Sequence, residues 1–290
     1  MTVELVEQAA AWRKTLDAAR AKGQQLGLVP TMGALHAGHM SLIRKAAAEC
    51  DVVAVTDYVN PLQFSPSEDL TSYPRNLRRD CELAAEAGAH IVFAPTTEDL
   101  WSRPPTTSVR VEGVSEPLEG ASRPGHFDGV ATIVTKLLSL AGPCWAYFGE
   151  KDYQQLVVIR RMVADLSLPV EVVGCPTVRE TDGLALSSRN SYLTTDERRA
   201  APQIYYALLA GKRAVEDDGI SDPDRVGEAM AASLSQQPLF TLDYAEVAGP
   251  DDLTRPSRIE GEVRLLMAAR IGRARLIDNL SATPPISADS

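Results

Sequence analysis

The 290-residue chain has no P-loop ending in Gly-Lys-Ser/Thr, no G-x-G-x-x-G and no G-x-S-x-G. Those absences remove the commonest sequence routes to a phosphate cradle, a dinucleotide site and an activated serine. Cysteine is scarce as well. The four residues, Cys50, Cys81, Cys144 and Cys175, include no C-x-x-C pair, which argues against a cysteine-based zinc site and suits reduced thiols in a cytoplasmic protein. The net charge of −10 comes with no basic run, so a general nucleic-acid binder is not expected. The aliphatics from Ile133 to Leu140 are broken by Thr, Lys and Ser, and the first residues, Met-Thr-Val-Glu-Leu-Val-Glu, carry neither a basic n-region nor an apolar h-region. Neither a membrane span nor export is indicated. The hydrophobic content of 44% supplies a real core.

What is present centres on Val29-Pro-Thr-Met-Gly-Ala-Leu-His-Ala-Gly-His-Met40. The apolar Gly27-Leu28-Val29 precedes it and the helix formers of Ser41 to Cys50 follow, so the stretch reads as strand, glycine-bearing turn and helix start. The first N–H groups of such a helix lack partners within it and its dipole favours negative charge, which makes the turn a seat for phosphate. Gly33 and Gly38 allow close approach, and His36 and His39, three apart, can direct two imidazoles at one phosphate. Half of a zinc site and incidental surface histidines are the alternatives.

Along the chain, apolar steps over residues 3–22 predict an amphipathic helix stopped at Gly23. Asp51 to Val59 reads as a buried strand ended by Asn60-Pro61. A helix from about Asn76 to Ala87 and a strand from His90 to Ala94 follow. Pro95 to Glu119 reads as loop with a short strand at Ser108 to Val111, and Gly120 to Gly129 as a flexible segment carrying Arg123 and His126 before a periodic helix. Cys144 to Phe148 and Val170 to Val173 are further strands. The period changes near Val178: Thr194 with Glu197 resembles a capping box opening a helix to about Val215, Asp222 to Leu234 form another, and Leu242–Val247, Val263–Ala269 and Ala274–Ile277 read as strands. The expected architecture is α/β over residues 1–177 with a smaller α+β domain over 178–290, whose tail from Ser281 is disordered.

Polar candidates gather at strand ends. Asn60 and Gln63 lie just past a strand's carboxyl end, where open α/β sheets bind ligands, although such residues also cap turns. Lys151, Asp152 and Gln155 cluster at a helix start, with Lys151 the best-placed cation for a triphosphate. Arg123 could clamp an anion or be a solvated loop charge, and Ser187-Ser188-Arg189 could hold anionic oxygens. Asp57, a carboxylate in an apolar run, must be partnered, at a sheet edge or functional.

Five blocks in order, Pro30-Thr-Met-Gly-Ala-Leu-His-Ala-Gly-His39, Val59-Asn-Pro-Leu-Gln-Phe64, Arg123-Pro-Gly-His-Phe127, Phe148-Gly-Glu-Lys-Asp-Tyr-Gln-Gln155 and Leu186-Ser-Ser-Arg-Asn190, closely resemble the pantoate–β-alanine ligases. The likeness runs from about residue 3 to Leu280. It implies a Rossmann-like parallel-sheet N-terminal domain with a smaller C-terminal lid, usually in a homodimer, that condenses pantoate with β-alanine at the expense of ATP through pantoyl adenylate. On that resemblance His36 and His39 would stabilise the α-phosphate transition state, and Lys151 would bind phosphate oxygens. Gln63 and Gln155 would hold pantoate with Asn60 nearby. Gly149 and Asp152 would bond the ribose, Met32 and the loop from Val178 to Leu186 would line the nucleotide site with Gly38, and Ser187, Ser188 and Arg189 would hold pyrophosphate. Tyr73 and Arg123 would belong to a mobile cover. Magnesium would arrive with ATP, held mainly by its phosphates rather than by side chains. Asp57 departs from the pattern, standing where an apolar strand residue is expected, and Leu186 stands where methionine is expected, a near-isosteric change. Other adenylyl- or cytidylyltransferases and a non-catalytic nucleotide sensor are the rival readings.

Overall fold

Strands buried on both faces have to be almost continuously apolar, and the segments that meet this condition here pair in parallel. The computed structural model describes residues 3–64, 70, 73–101 and 103–285. They fall into two units: Met1–Glu150 with Gln154–Pro176, and Lys151–Tyr153 with Thr177–Ser290.

In the first unit the order is β1 (Glu4–Val6), α1 (Ala9–Arg20), β2 (Leu26–Thr31), α2 (Ala37–Glu49), β3 (Val52–Asp57), α3 (Leu77–Ala87), β4 (Ile91–Phe93), the short α4 (Thr97–Leu100) and α5 (Glu119–Ser122), α6 (His126–Ala141), β5 (Cys144–Gly149), α7 (Tyr153–Asp165) and β6 (Val170–Cys175). The sheet runs β1-β4-β3-β2-β5-β6, all parallel. The chain winds outward from β2 to β3 and β4, then returns to lay β5 and β6 on the other side of β2. The strand order therefore reverses between β2 and β5, and the carboxyl ends of these two strands flank the crevice where such sheets bind ligands. On one face Val29, Val53, Val55 and Val92 pack with Ile43, Ala46 and Ala84. Trp12 of α1 stacks on Phe93 with ring centres 4.7 Å apart.

The second unit holds α8 (Thr195–Ala200), α9 (Gln203–Glu216), α10 (Pro223–Ser235), β7 (Phe240–Ala248), β8 (Val263–Ile271) and β9 (Ala274–Ala282). Its three strands form an antiparallel sheet in the order β7-β8-β9. Ile204, Leu208, Val215, Met230, Leu265 and Met267 are at its core.

Several expectations need correction. Residues 4–6 are not the start of a helix: they extend to pair with β4, Glu4 opposite Ile91, and α1 begins only after Gln8, whose φ and ψ of −96° and 132° are extended. So short a segment cannot reveal whether its pattern is alternating or helical. Ser108 to Val111 is not a strand; the Val109 N–H bonds the Thr132 hydroxyl instead of a ladder. The segment around Arg123 is not a flexible loop, since α5 and the first turn of α6 run through it. Lys151 lies in a 3-10 turn, Glu150–Asp152, just ahead of α7. The helix expected from Thr194 to Val215 is two helices, α8 ending at Ala200 and α9 beginning at Gln203, because Pro202 has no N–H to continue the helical ladder. The capping box that opens α8 is formed by Thr194 and Glu197. Ser281 and Ala282 belong to β9; residues 286–290 of the expected tail lie outside the described residues.

Candidate active site

The turn after β2 is built by left-handed residues and a buried acid. Gly33 and Ala34 take φ values of 77° and 51°; the first suits glycine, and the second costs an alanine about 1–2 kcal/mol. Asp80, in the first turn of α3 and 3% exposed, offsets that cost by accepting the Ala34 N–H at 3.1 Å and the Leu35 N–H at 2.7 Å, one on each carboxylate oxygen. Thr31 Oγ1 accepts the Gly33 N–H at 3.1 Å.

The chain then enters α2 with His36 as its N-cap. His36 Nδ1 accepts the Gly38 N–H at 3.1 Å, and His39 Nδ1 accepts the His36 N–H at 3.4 Å, a reciprocal capping arrangement made by two imidazoles. Because Nδ1 of each ring accepts, the proton of each neutral ring is on Nε2. The ring centres are 4.1 Å apart, tilted by 39°, and both side chains are half-buried. The expectation of bare helix N–H donors changes accordingly: the Gly38 donor is committed to His36, and the turn's donors include two oriented imidazole N–H groups.

Past β3, Asn60 caps a 3-10 turn, Pro61–Gln63, accepting the Leu62 N–H at 3.2 Å. Asn60 is 1% exposed and spends its amide on the Gly129 carbonyl at 3.1 Å and on Gln63 Oε1 at 3.0 Å. Gln63 Nε2 in turn reaches Met32 Sδ at 3.0 Å. Asn60 thus orients Gln63, and Gln63 touches the residue expected to line the nucleotide. Arg123 ends α5 and donates to His126 Nε2 at 3.0 Å. Arginine can only donate, so His126 Nδ1 carries the proton and donates it to the Gln63 carbonyl at 2.9 Å. Tyr73 meets Phe64 edge to face, centres 6.0 Å apart. Gln155 is half-buried on α7, with no side-chain hydrogen bond among the described residues, whereas its neighbour Gln154 is buried and bonded to the Glu119 N–H and the Val114 and Pro117 carbonyls. Gly149 ends β5, beside the reversal of strand order.

In the second unit, Lys151, Ser187, Arg189 and Asn190 line one pocket with Arg275 and Asp278. Lys151 Nζ lies 3.7 Å from Asp152 Oδ1, and its carbonyl accepts from Asn279 Nδ2 at 3.0 Å. Val178 and Leu186 close a loop, the Leu186 N–H donating to the Val178 carbonyl at 3.0 Å. Ser187 caps the 3-10 turn Ser188–Tyr192, accepting the Arg189 N–H at 3.3 Å. Arg179 holds this loop to β9 through Asp278, at 2.6 and 2.8 Å.

A parallel sheet that places a histidine turn at its reversal of strand order, beside a glutamine fixed by a buried asparagine, narrows the chemistry without naming the substrates. The sequence profile described as pantoate-beta-alanine ligase matches residues 4–281. The chain belongs to that family. It is 50% identical over 267 residues to the pantothenate synthetase of Rhizobium johnstonii, covering 92% of this chain and 88% of that one, and 49% identical over 278 residues to that of Moorella thermoacetica, covering 96% and 98%. Among solved structures, pantothenate synthetase from Thermus thermophilus superposes with a TM-score of 0.90 at 47% identity, covering 96% of this chain and 99% of that one. The Francisella tularensis pantoate-beta-alanine ligase, solved in complex with beta-gamma ATP and beta-alanine, does so with 0.79 at 33%, covering 96% and 97%. The chain is thus a pantoate–β-alanine ligase, with the α/β and α+β units expected of one.

Sequence reasoning missed Asp80 as the anchor of the histidine turn and Gln154 as a structural brace. An acid in a helix's first turn is ordinary in sequence, and nothing in the chain's order reveals that Asp80 reaches a turn 45 residues earlier.

Proposed function

We propose that this ligase works through an acyl adenylate. A carboxylate oxygen of pantoate attacks the α-phosphorus of ATP, and the bond to pyrophosphate breaks. The β-alanine nitrogen then attacks the acyl carbon, loses a proton, and AMP leaves with the bridging oxygen. The first step needs no base, because its nucleophile is already a carboxylate; positioning and charge stabilisation suffice.

The observation that carries this reading is the locked pair of imidazoles. With Nδ1 of both rings accepting backbone N–H groups, Nε2 is the nitrogen through which His36 and His39 donate to an α-phosphate as its equatorial oxygens gain charge. Gln63 and Gln155 take pantoate, with Asn60 holding Gln63 in place. Lys151 takes phosphate oxygens, Gly149 and Asp152 the ribose, and Met32, Gly38 and the Val178 to Leu186 loop the rest of the nucleotide. Ser187, Ser188 and Arg189 receive pyrophosphate, and Tyr73 and Arg123 cover the substrates. Magnesium enters as part of the nucleotide substrate, where it neutralises phosphate charge. A cytoplasmic homodimer completes the reading.

Single-turnover assays without β-alanine test it. His36→Ala and His39→Ala should each slow adenylate formation by about 10²–10³-fold with a smaller change in ATP affinity. Wild-type rates in both variants would remove the histidines from the chemistry.

A further inference from the structure

Gln63, the side chain assigned above to pantoate, is held from two directions. Asn60 sets its carboxamide: Asn60 Nδ2 donates to Gln63 Oε1 at 3.0 Å, which turns Gln63 Nε2 toward Met32 Sδ, 3.0 Å away. Thioether sulfur is a weak acceptor, so those N–H groups pass readily to a substrate oxygen. The main chain of Gln63 has a different anchor. Its N–H reaches the Asn60 carbonyl only at 3.5 Å, the far limit of a hydrogen bond, whereas its carbonyl accepts from His126 Nδ1 at 2.9 Å.

His126 opens α6, and Gly129 stands three residues on, on the same face. A Cβ on Gly129 would fall on the Leu62 carbonyl, so here the helix backbone packs directly on the Pro61–Gln63 turn. Asn60 closes the joint by donating to the Gly129 carbonyl at 3.1 Å. The second ring nitrogen of His126, Nε2, accepts from Arg123 at 3.0 Å. Because a guanidinium only donates, this contact keeps Nε2 bare and the ring proton on Nδ1, where it meets the Gln63 carbonyl.

We propose that His126 is a positioning residue for pantoate: kept in its Nδ1–H tautomer by Arg123, it anchors the main chain of Gln63 and so fixes where that carboxamide meets the substrate. This deepens the reading of Gln63 as a pantoate ligand and rests on it. The role needs no contact between His126 and the reacting atoms. It also gives Arg123 a task besides covering the substrates. Without that donor either ring nitrogen can carry the proton, and the tautomer with a bare Nδ1 sets a lone pair against the Gln63 carbonyl.

Two amides separate the two halves of the ring. Asparagine carries its Nδ2 where histidine carries Nδ1, so His126→Asn keeps the donor for Gln63 and loses the acceptor for Arg123. Glutamine brings its Oε1 to the place of Nε2, so His126→Gln keeps the acceptor and loses the donor. Steady-state kinetics with each substrate varied in turn read the difference. In His126→Gln the KM for pantoate should rise about three- to tenfold, as for loss of one hydrogen bond, while kcat and the KM for ATP change by less than about twofold. His126→Asn should bring the pantoate KM back to within about twofold of wild type. Nitrogen NMR of the imidazole should find Nδ1 protonated in wild type and a second tautomer in Arg123→Ala.

Equal pantoate KM values in the two amide variants, or an ATP KM that rises in step with that for pantoate, overturn the positioning role. A wild-type ring protonated on Nε2 overturns the lock by Arg123. Gln63→Ala keeps the underlying reading separate: a pantoate KM unchanged in that variant removes Gln63 from pantoate binding, whereas an impaired Gln63→Ala beside an unaffected His126→Gln refutes His126 alone.

Discussion

Replacing Arg179 by methionine isolates the energetics of the second unit. The Asp278 side chain is 1% exposed and receives both forks of the Arg179 guanidinium, at 2.6 and 2.8 Å, while its Oδ1 also accepts the Asn279 N–H at 2.8 Å. The guanidinium lies 4.3 Å from the centre of the Tyr205 ring and donates to the Gly183 carbonyl at 3.0 Å. Methionine keeps much of the stem's volume and removes every one of these donors. What remains is a carboxylate buried with one backbone partner, a loss of about 3–5 kcal/mol. At roughly 3 °C per kcal/mol for a chain of this size, the melting temperature should fall by about 9–15 °C. The pair itself offers little net stabilisation over an apolar pair, because its attraction is set against the desolvation of both charges. Asp278→Leu added to Arg179→Met should therefore restore most of the loss. Calorimetry of the three proteins is the assay. A drop below about 3 °C in the single variant, or a double variant no better than the single, would refute the buried-charge argument. The tether also predicts a raised KM for ATP in Arg179→Met at temperatures where it is folded, since Val178 to Arg189 depends on it.

Three further outcomes follow from packing and charge. In Gly129→Ala the new methyl would fall on the Leu62 carbonyl and lie 2.6 Å from the Gln63 nitrogen; backbone cannot yield as a side chain can, so stability should drop by roughly 1–3 kcal/mol and KM for pantoate should rise, read by denaturant melts and steady-state kinetics. Lys151→Ala should cost more in single-turnover rate than Arg123→Ala, because the guanidinium is already committed to His126 whereas the lysine lines a pocket with Ser187 and Arg189; the opposite order would displace Lys151 as the principal cation. Thr194→Ala should cost about 1 kcal/mol of stability through loss of the α8 cap, measured by thermal melts, with unchanged kcat.

The sequence was most legible where a local rule had a single reading. The run Leu26 to Val29 followed by glycine and helix formers admitted only strand, turn and helix, and Thr194 with Glu197 made the capping box that the spacing predicts. It was least legible where segments were short or competing rules were balanced. Residues 4–6 extend because β4 offers a free edge, Ser108 to Val111 found a threonine hydroxyl rather than a strand, and Pro202 broke a periodic pattern that continues on both sides of it. Arg123, which composition assigned to a flexible loop, is fixed by a histidine that its own segment supplies.

The order of residues determined the elements, the apolar faces and the placing of His36 and His39 at a helix start, since each depends on neighbours within a few positions. It also carried the family, through five blocks whose spacing the fold preserves. Only tertiary structure decided that the histidines cap their own helix through Nδ1, that Asn60 joins Gln63 to the Gly129 carbonyl, and that Asp80 holds the Ala34 and Leu35 N–H groups of the turn. These are partnerships between residues far apart in the chain, or between ring atoms a sequence does not distinguish, and they exist because burial forces each polar group to find a partner wherever the fold has brought one.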